Sequence, residues 1–236
     1  MTIGLKKTVV LFGGSGFLGR YVARALCRRG HRVRVACRRP DLAYHLQIAG
    51  NMGQILPIQA NLRYPWSVDR AVENADYVVN LVGILAESGR QSFDAVQNSG
   101  ARAVAEAARG VGAGMTQISA IGADAHSESL YGRSKAAGEA AVFEAIPDAT
   151  ILRPSIVFGA EDQFFNRFAD MSRFSPFLPL IGGGKTRYQP VFVGDVAEAV
   201  ADTVASAKAV TRADTTISRL PSHRSTSAPT CIPSSR

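Results

Sequence analysis

The chain has 236 residues, of which 46% are hydrophobic, and its mean hydropathy is +0.03. These values predict a globular protein with one large core and a smaller appendage. Its 27 basic and 19 acidic residues give a net charge of +8, which favours anionic partners such as nucleotides or a phospholipid surface. We expect no nucleic-acid binding, because no basic block is interleaved with stacking aromatic residues. The longest apolar run, residues 77–85, is too short to span a membrane.

The three cysteines, Cys27, Cys37 and Cys231, are too few and too scattered for a disulfide framework or a metal site. We therefore predict no metal and a reducing, cytoplasmic setting. Two lysines and an apolar stretch near the start resemble a signal peptide only faintly. Glycines interrupt that stretch, and no small-residue cleavage site follows it.

A strand, a glycine-rich turn and a helix are predicted near the start of the chain. Residues 9–12 are apolar, glycines recur at positions 13, 16 and 19, and the following basic helix ends before Gly30, which suits a left-handed cap. Such a turn leaves backbone N–H groups at the positive end of a helix dipole, where a pyrophosphate binds. A glycine-rich loop without a ligand is the alternative. The predicted dinucleotide-binding turn consists of Gly13, Gly14, Ser15, Gly16, Phe17, Leu18 and Gly19.

The end of the second predicted strand, 32–36, indicates which dinucleotide is bound. An acidic side chain about twenty residues after the last glycine would bind the adenosine ribose of NAD. Here Arg38 and Arg39 follow the strand instead, and a guanidinium can form two hydrogen bonds to a 2′-phosphate. The sequence therefore favours NADP(H), with NAD(H) as the alternative. A solvated basic loop is the other interpretation of the two arginines.

Apolar strands alternate with helical patterns along the chain, which predicts an α/β fold with a Rossmann-type, doubly wound parallel sheet. The predicted strands cover residues 8–12, 32–36, 54–58, 77–82, 115–119 and 150–153, and further helices cover 41–48, 67–73, 96–108 and 131–143. Right-handed crossovers place the carboxyl ends of all strands at one edge, where a ligand binds. The predicted adenine and ribose contacts after the third and fourth strands are Asn61, Leu62, Leu81, Val82 and Gly83.

A second chemical signal is the pair Tyr131 and Lys135, at the start of the helix after the fifth strand. Positions i and i+4 share a helix face, so the ammonium can lie near the phenol, lower the phenol pKa and hold a ribose hydroxyl. A tyrosine with a lowered pKa can exchange a proton with a carbinol during hydride transfer. A surface tyrosine beside an unrelated lysine has the same spacing and is the alternative.

Four stretches resemble the short-chain dehydrogenase/reductase superfamily in its extended branch, which includes NAD-dependent epimerases and dehydratases. They are residues 13–19, 98–100, 131–139 and 152–159. The resemblance implies that Tyr131 is the acid/base and that Lys135 anchors the ribose. It also implies that Ser119 orients the substrate beside the cofactor and that Pro154 contacts the cofactor.

Later stretches, 159–168, 173–177 and 189–197, narrow the resemblance to the nucleotide-binding accessory subunits of respiratory complex I and their bacterial relatives. The resemblance implies that NADPH is bound tightly without being oxidised and that the chain contacts subunits of a membrane complex from its cytoplasmic face. One departure from catalytic members agrees with this role: Ser119 lies about two residues early, and Ile121, which cannot donate a hydrogen bond, takes the usual hydroxyl position. The alternative is a reductase, dehydrogenase or sugar-nucleotide epimerase that uses Tyr131, Lys135 and Ser119.

The expected domains are a dinucleotide-binding domain over residues 1–158 and a partial substrate lobe over 159–210, with a helix that returns to the core. Five of the 11 phenylalanines lie between residues 164 and 177, as the floor of a substrate pocket or as a docking surface. Of the 26 residues 211–236, 14 are Ser, Thr or Pro, so we expect a disordered tail. A shifted coding frame near Ala209, or a truncated product, would explain an incomplete lobe.

Overall fold

The computed structural model describes residues 7–89, 91–174 and 187–207. Its centre is a sheet of six parallel strands: Thr8–Phe12 (β1), Arg32–Cys37 (β2), Ile55–Gln59 (β3), Tyr77–Asn80 (β4), Gly114–Ile118 (β5) and Thr150–Leu152 (β6). Their order across the sheet is β3-β2-β1-β4-β5-β6. The order reverses between β1 and β4, so the loops after these two strands open a crevice at the carboxyl edge. The predicted doubly wound parallel sheet is confirmed.

Helices cover both faces of this sheet. The described α-helices are Phe17–Arg28 (α1), Pro65–Val72 (α2), Ser99–Gly110 (α3), Leu130–Ala145 (α4), Phe165–Phe174 (α5) and Val193–Ser206 (α6), and all except α5 belong to these two layers. α1 and α6 pack together on one face, whereas α2, α3 and α4 form the layer on the other. Gly30 has a φ of 84°, so α1 ends with the left-handed glycine that the sequence predicts.

The alternation of side chains along β1 divides the core into two halves. Val9 and Leu11 pack in the half beneath α1 and α6, whereas Val10 and Phe12 pack in the half beneath α2, α3 and α4. All four side chains are buried, because a central parallel strand is covered on both faces. This is why residues 9–12 are apolar without interruption.

Some predicted elements differ from the structure. Residues Pro40–Ala49 form 3-10 turns instead of an α-helix, and the helix predicted from residue 96 begins with a π-helical turn, Asp94–Asn98. Short 3-10 segments often serve as connectors, and π turns are frequent at functional sites. Strand β4 ends before its predicted limit because the Asn80 side-chain oxygen accepts a hydrogen bond from the Val82 N–H at 3.1 Å and turns the chain.

A small second sheet pairs Val157–Phe158 (β7) with Val191–Phe192 (β8), and the sequence pattern predicts neither these strands nor α5. Helix α6 begins after Phe192 and carries Asp195 in its first turn. Among the described residues, no helix has the length and apolar character needed to cross a bilayer. The predicted disordered tail, 211–236, lies outside the described residues.

Candidate functional site

The glycine turn lies at the carboxyl end of β1, in the crevice beside β4. Gly13 has a φ of 76°, and a Cβ added there would lie 3.2 Å from the backbone nitrogen of Val82. The Gly13 N–H donates to the Ala36 carbonyl at 3.3 Å, and the Gly16 N–H donates to the Gly13 carbonyl at 3.1 Å. Glycine is required at Gly13, because both the left-handed backbone and the close approach of the next loop disfavour a side chain.

Gly19 brings the first turn of α1 against this loop. A Cβ added there would lie 2.5 Å from the Gly13 carbonyl oxygen and the Gly14 backbone. Helix α1 begins after Gly16 with no side-chain cap and with no acidic residue in its first turn. The first N–H groups of α1 and the positive end of its dipole are therefore available to an anion.

The other predicted residues of the turn have different surroundings. Ser15 is half-buried and Leu18 packs against the core beneath α1. The Phe17 ring packs edge-on against Tyr21 at a centroid distance of 5.9 Å and lies beside Gly159. The side chains of Phe17 and Leu18 thus support the helix, and their contribution to a dinucleotide would come from the backbone.

The two arginines after β2 differ in their surroundings. Arg39 forms an ion pair with Asp41, with 2.8 Å between Nη2 and Oδ2, and 70% of its side chain is exposed. This hydrogen bond raises the pKa of Arg39 and lowers that of Asp41. Arg38 is exposed and forms no ion pair with another described residue. Arg38 is therefore the better donor to a 2′-phosphate.

The loop after β3 is braced to two helices. The Asn61 N–H donates to the Ser67 hydroxyl of α2 at 3.0 Å, and the Asn61 side-chain oxygen accepts from the Arg63 N–H at 3.2 Å. Leu62 packs against Gly100 of α3, where an added Cβ would lie 2.9 Å from Leu62 Cδ1. Both predicted residues thus lie at the carboxyl edge, in a loop whose shape is held by its neighbours.

The loop after β4 forms the wall opposite the glycine turn. The Leu81 N–H donates to the Phe12 carbonyl at 3.0 Å, which carries the loop along the end of β1. Asn80 is buried and donates from Nδ2 to Gln117 Oε1 of β5 at 2.8 Å. The loop that contains Leu81, Val82 and Gly83 therefore starts beside a buried hydrogen-bonded pair, Asn80 and Gln117.

Tyr131 and Lys135 lie on the first two turns of α4, as their spacing predicts. Lys135 is 7% exposed, and its Nζ lies 5.8 Å from the centroid of the Tyr131 ring. A Cβ added at Gly83 would lie 3.0 Å from the same Nζ. Phe93 packs edge-on against the Tyr131 ring at a centroid distance of 5.9 Å. The structure thus brings together Gly83, Tyr131 and Lys135.

The electrostatics of this pair differ from the expectation. Burial raises the pKa of the Tyr131 phenol, so the predicted lowering by Lys135 is wrong. Burial also lowers the pKa of Lys135 to about 8, and the Glu139 carboxylate opposes that shift. Desolvation disfavours both charged forms and here outweighs the attraction between an ammonium and a phenolate.

Ser119 and Ile121 follow β5 and differ in what they offer a ligand. Ser119 is 4% exposed, and its hydroxyl has no hydrogen-bond partner in the described part of the chain. Ile121 is exposed, and its N–H donates to the Pro154 carbonyl at 3.0 Å, which joins the loops after β5 and β6. Ser119 therefore holds a polar group whose hydrogen bonding is not satisfied by the described residues, whereas Ile121 presents an apolar side chain.

Gln97 is a buried residue of the site that the sequence reasoning missed. From the π turn it donates to the Ile84 carbonyl at 2.6 Å and accepts from the Ser134 hydroxyl at 2.7 Å, which ties the loop after β4 to α4. A Cβ added at Gly138 of α4 would lie 2.1 Å from the Gln97 carbonyl oxygen. Glycine inside a helix costs about 1 kcal/mol of stability relative to alanine. The glycine at position 138, inside a predicted helix, was therefore the sequence signal of a close contact.

These residues fit a dinucleotide. The glycine turn excludes side chains, the start of α1 offers unpaired N–H groups, and Ser119 holds a buried hydroxyl without a partner among the described residues. Lys135 adds a buried cation at the same edge of the sheet. An anionic ligand with ribose hydroxyls would satisfy each of these groups.

The sequence of this region also matches a known family. The model of the NAD dependent epimerase/dehydratase family matches residues 9–214, which include almost the whole of the main sheet. The chain belongs to this family. Ligands of doubly wound sheets bind where the strand order reverses, so the crevice at the carboxyl edge is the expected nucleotide site.

Two curated proteins illustrate the similarity in sequence. The chain is 40% identical over 200 residues to NADH dehydrogenase (ubiquinone) 1 alpha subcomplex subunit 9, mitochondrial, of Arabidopsis thaliana, covering 84% of this chain and 49% of that protein. It is 33% identical over 181 residues to Ceramide reductase of Caulobacter vibrioides, covering 77% and 56%. The chain thus spans about half the length of the curated relatives it matches.

A solved structure supports the fold. WbmH of Bordetella bronchiseptica, in complex with NAD+, superposes with a TM-score of 0.66 at 18% identity, over 84% of this chain and 72% of that one. At this identity the likeness shows the doubly wound fold alone.

Proposed function

We propose that the chain is a dinucleotide-binding accessory component of a respiratory NADH:quinone oxidoreductase. The observation that carries this proposal is the 40% identity to the NADH dehydrogenase subunit over 84% of the chain. Its partners would then be other subunits of that complex, and it would lie at the cytoplasmic face of a membrane. The resemblance of residues 159–168 and 189–197 to such subunits supports the same proposal.

In this role the site binds a dinucleotide without turning it over. The N–H groups of Gly13 to Gly19 would hold the pyrophosphate, and Lys135 and Ser119 would hold ribose hydroxyls. Tyr131 stays a neutral phenol at physiological pH, because burial raises its pKa. Ile121 supplies no hydroxyl to orient a substrate oxygen beside that phenol. The missing hydroxyl at position 121 favours retention of the ligand over catalysis.

NADP(H) is the proposed ligand, with NAD(H) as the alternative. Arg38 is exposed at the end of β2 and forms no ion pair with the described residues, so it is available to a 2′-phosphate. Asn61, Leu62, Leu81 and Val82 would line the adenosine side, and Gly83 and Pro154 the nicotinamide side. The family's stated dependence on NAD is the reason to keep the alternative.

A second candidate function is a reductase. The similarity to Ceramide reductase favours it, because that protein is named for a reaction on a lipid. A bound reduced nicotinamide would supply hydride to a carbonyl carbon. Tyr131 would then donate its proton to the carbonyl oxygen, Ser119 would orient that oxygen, and Lys135 would anchor the ribose.

The test begins with the purified protein and the nucleotide that it retains. Extraction and mass spectrometry identify that nucleotide, and its nicotinamide absorbance is then followed with a panel of carbonyl compounds that includes a ceramide precursor. We expect tightly retained NADPH and no turnover. Turnover that disappears in Tyr131→Phe, but not in Tyr44→Phe, an exposed tyrosine of the 3-10 segment, would establish the reductase instead.

A further inference from the structure

A buried ion pair lies behind Lys135. Glu139 is one helical turn further along α4 and is only 6% exposed. Its carboxylate accepts two hydrogen bonds from Arg153, one from Nε to Oε1 at 2.9 Å and one from Nη2 to Oε2. Arg153 directly follows β6, and 40% of its side chain is exposed. A guanidinium that pairs with both oxygens fixes the orientation of the carboxylate.

The backbone beside Glu139 is closely packed against the π turn. Its neighbour Gly138 lies against the Gln97 carbonyl, where no Cβ fits. Gln97 is in turn bonded to the loop that contains Gly83. This packing joins α4, which carries both Lys135 and Glu139, to the loop after β4.

The ammonium of Lys135 needs this carboxylate, because burying a cation without a compensating charge is costly. In the described part of the chain, the titratable groups that face Lys135 are Tyr131 and Glu139 of α4, with Arg153 behind Glu139. The loop after β4 presents the backbone of Gly83. Tyr131 is neutral at physiological pH, so Glu139 is the negative charge that acts on the ammonium.

We propose that Glu139, held by Arg153, is a positioning residue that keeps Lys135 cationic and directed at the Gly83 side of the dinucleotide site. The inference rests on the proposed function, in which Lys135 holds a ribose of the dinucleotide. The ion pair between Glu139 and Arg153 lies behind Lys135 and controls the charge and direction of the Lys135 ammonium. Dinucleotide affinity then depends on pH through the charge of Lys135.

A direct measurement follows the titration of Lys135 by NMR in protein labelled with 13C-lysine. The chain contains five lysines, and the signal lost in Lys135→Arg assigns the relevant one. We expect a midpoint near 8 in the wild type and a midpoint lower by about one pH unit in Glu139→Gln. Glu144→Gln is the matched control. Glu144 lies on the same helix as Glu139 and also pairs with an arginine, Arg102 of α3, at 2.9 Å, but its side chain is largely exposed. Its midpoint should stay at the wild-type value.

The second measurement is the affinity for NADPH between about pH 6 and about pH 9. The wild type should bind more weakly as the pH rises through the Lys135 midpoint, and the affinity of Glu139→Gln should fall at lower pH than that of the wild type. The variant should bind about twofold more weakly than the wild type near neutrality and about ninefold more weakly near pH 9. In a Lys135→Arg background the effect of Glu139→Gln on the pH profile should vanish, since arginine stays protonated.

Equal midpoints and equal pH profiles in the wild type and Glu139→Gln would overturn the inference. Absence of NADPH binding in the wild type contradicts the proposed function, and the NMR midpoints still decide whether Glu139 controls the charge of Lys135. If Glu139→Gln does not fold, the double variant Glu139→Gln/Arg153→Leu, which leaves no unpaired guanidinium, supplies the same two measurements.

Discussion

The ammonium of Lys135 lies against the backbone of Gly83, where an added Cβ would come within 3.0 Å of Nζ. The two residues belong to α4 and to the loop after β4, so their contact joins the tyrosine-lysine helix to the wall of the crevice. Glycine leaves room there for the buried cation. This relationship makes Gly83 a sensitive position for ligand binding.

We expect Gly83→Ala to weaken NADPH binding by about tenfold, a loss of about 1.4 kcal/mol. The methyl group would displace the Lys135 side chain, which is flexible enough to move, so the unfolding temperature should change by less than about 2 °C. Fluorescence titration with NADPH and thermal unfolding measure the two effects. Gly110→Ala is the control, because no atom lies within 4 Å of its added Cβ. Unchanged affinity in Gly83→Ala would contradict the contact.

Gly19→Ala should destabilise the fold as well as the site. Its Cβ would lie 2.5 Å from backbone atoms of Gly13 and Gly14, which cannot rotate away as a side chain does. We expect a loss of about 1–3 kcal/mol in the free energy of unfolding, typical of overpacking, measured by urea denaturation. NADPH binding should be lost with it, because the start of α1 would shift. A variant as stable as the wild type would show that α1 does not pack on the turn in this way.

Arg38 and Arg39 should differ in their effects on ligand preference. Arg38→Ser should weaken NADPH binding by about tenfold and leave NADH binding unchanged, because only NADPH carries the 2′-phosphate. Arg39→Ser should change neither affinity by more than about twofold, since Asp41 already engages Arg39. Titrations with both dinucleotides test the pair. The reverse order of effects would identify Arg39 as the phosphate ligand.

Asp162 should stabilise the start of α5 above acid pH. Burial opposes ionisation, but hydrogen bonds from the backbone N–H groups of Gly159, Phe165, Asn166 and Phe164 lower the net pKa of its carboxyl. A carboxyl with a lowered pKa stabilises the fold above its ordinary pKa of about 4, and the effect is lost as the pH falls through the folded value. Hydrogen exchange of α5 should therefore be about fivefold faster in Asp162→Ala near neutrality, with the difference vanishing in acid.

Asp170→Ala is the matched control for Asp162, because Asp170 lies on the same helix and is exposed beside Arg173 at 4.0 Å. It should leave the exchange of α5 within about twofold of the wild type. An equal effect of the two variants would mean that Asp162 does not act through the backbone N–H groups.

The main sheet could be predicted because its signals are local. Val9 to Phe12 form an uninterrupted apolar run, and Gly30 occupies the left-handed cap that ends α1. The second sheet could not be predicted, because β7 and β8 have two residues each and pair across more than thirty positions. Too few residues lie in either strand for alternation to be visible.

The positions of the site residues could be predicted more easily than their pKa values. Strand order places Gly13, Asn61, Val82 and Ser119 at one edge once the sheet is recognised. The pKa of Tyr131 was predicted in the wrong direction, because the spacing to Lys135 says nothing about how deeply either side chain is buried. Burial is a property of the neighbours, which come from elsewhere in the chain.

The sequence by itself determined the doubly wound fold, the glycine turn and the pairing of Tyr131 with Lys135 on one helix face, because each depends on spacing within a short segment. Only the tertiary structure decided that Glu139 is bonded to Arg153, that Gln97 joins two walls of the site, and that Gly83 makes room for Lys135. These contacts join segments that are distant in the chain. Their charges and distances therefore depend on how the helices and loops pack together.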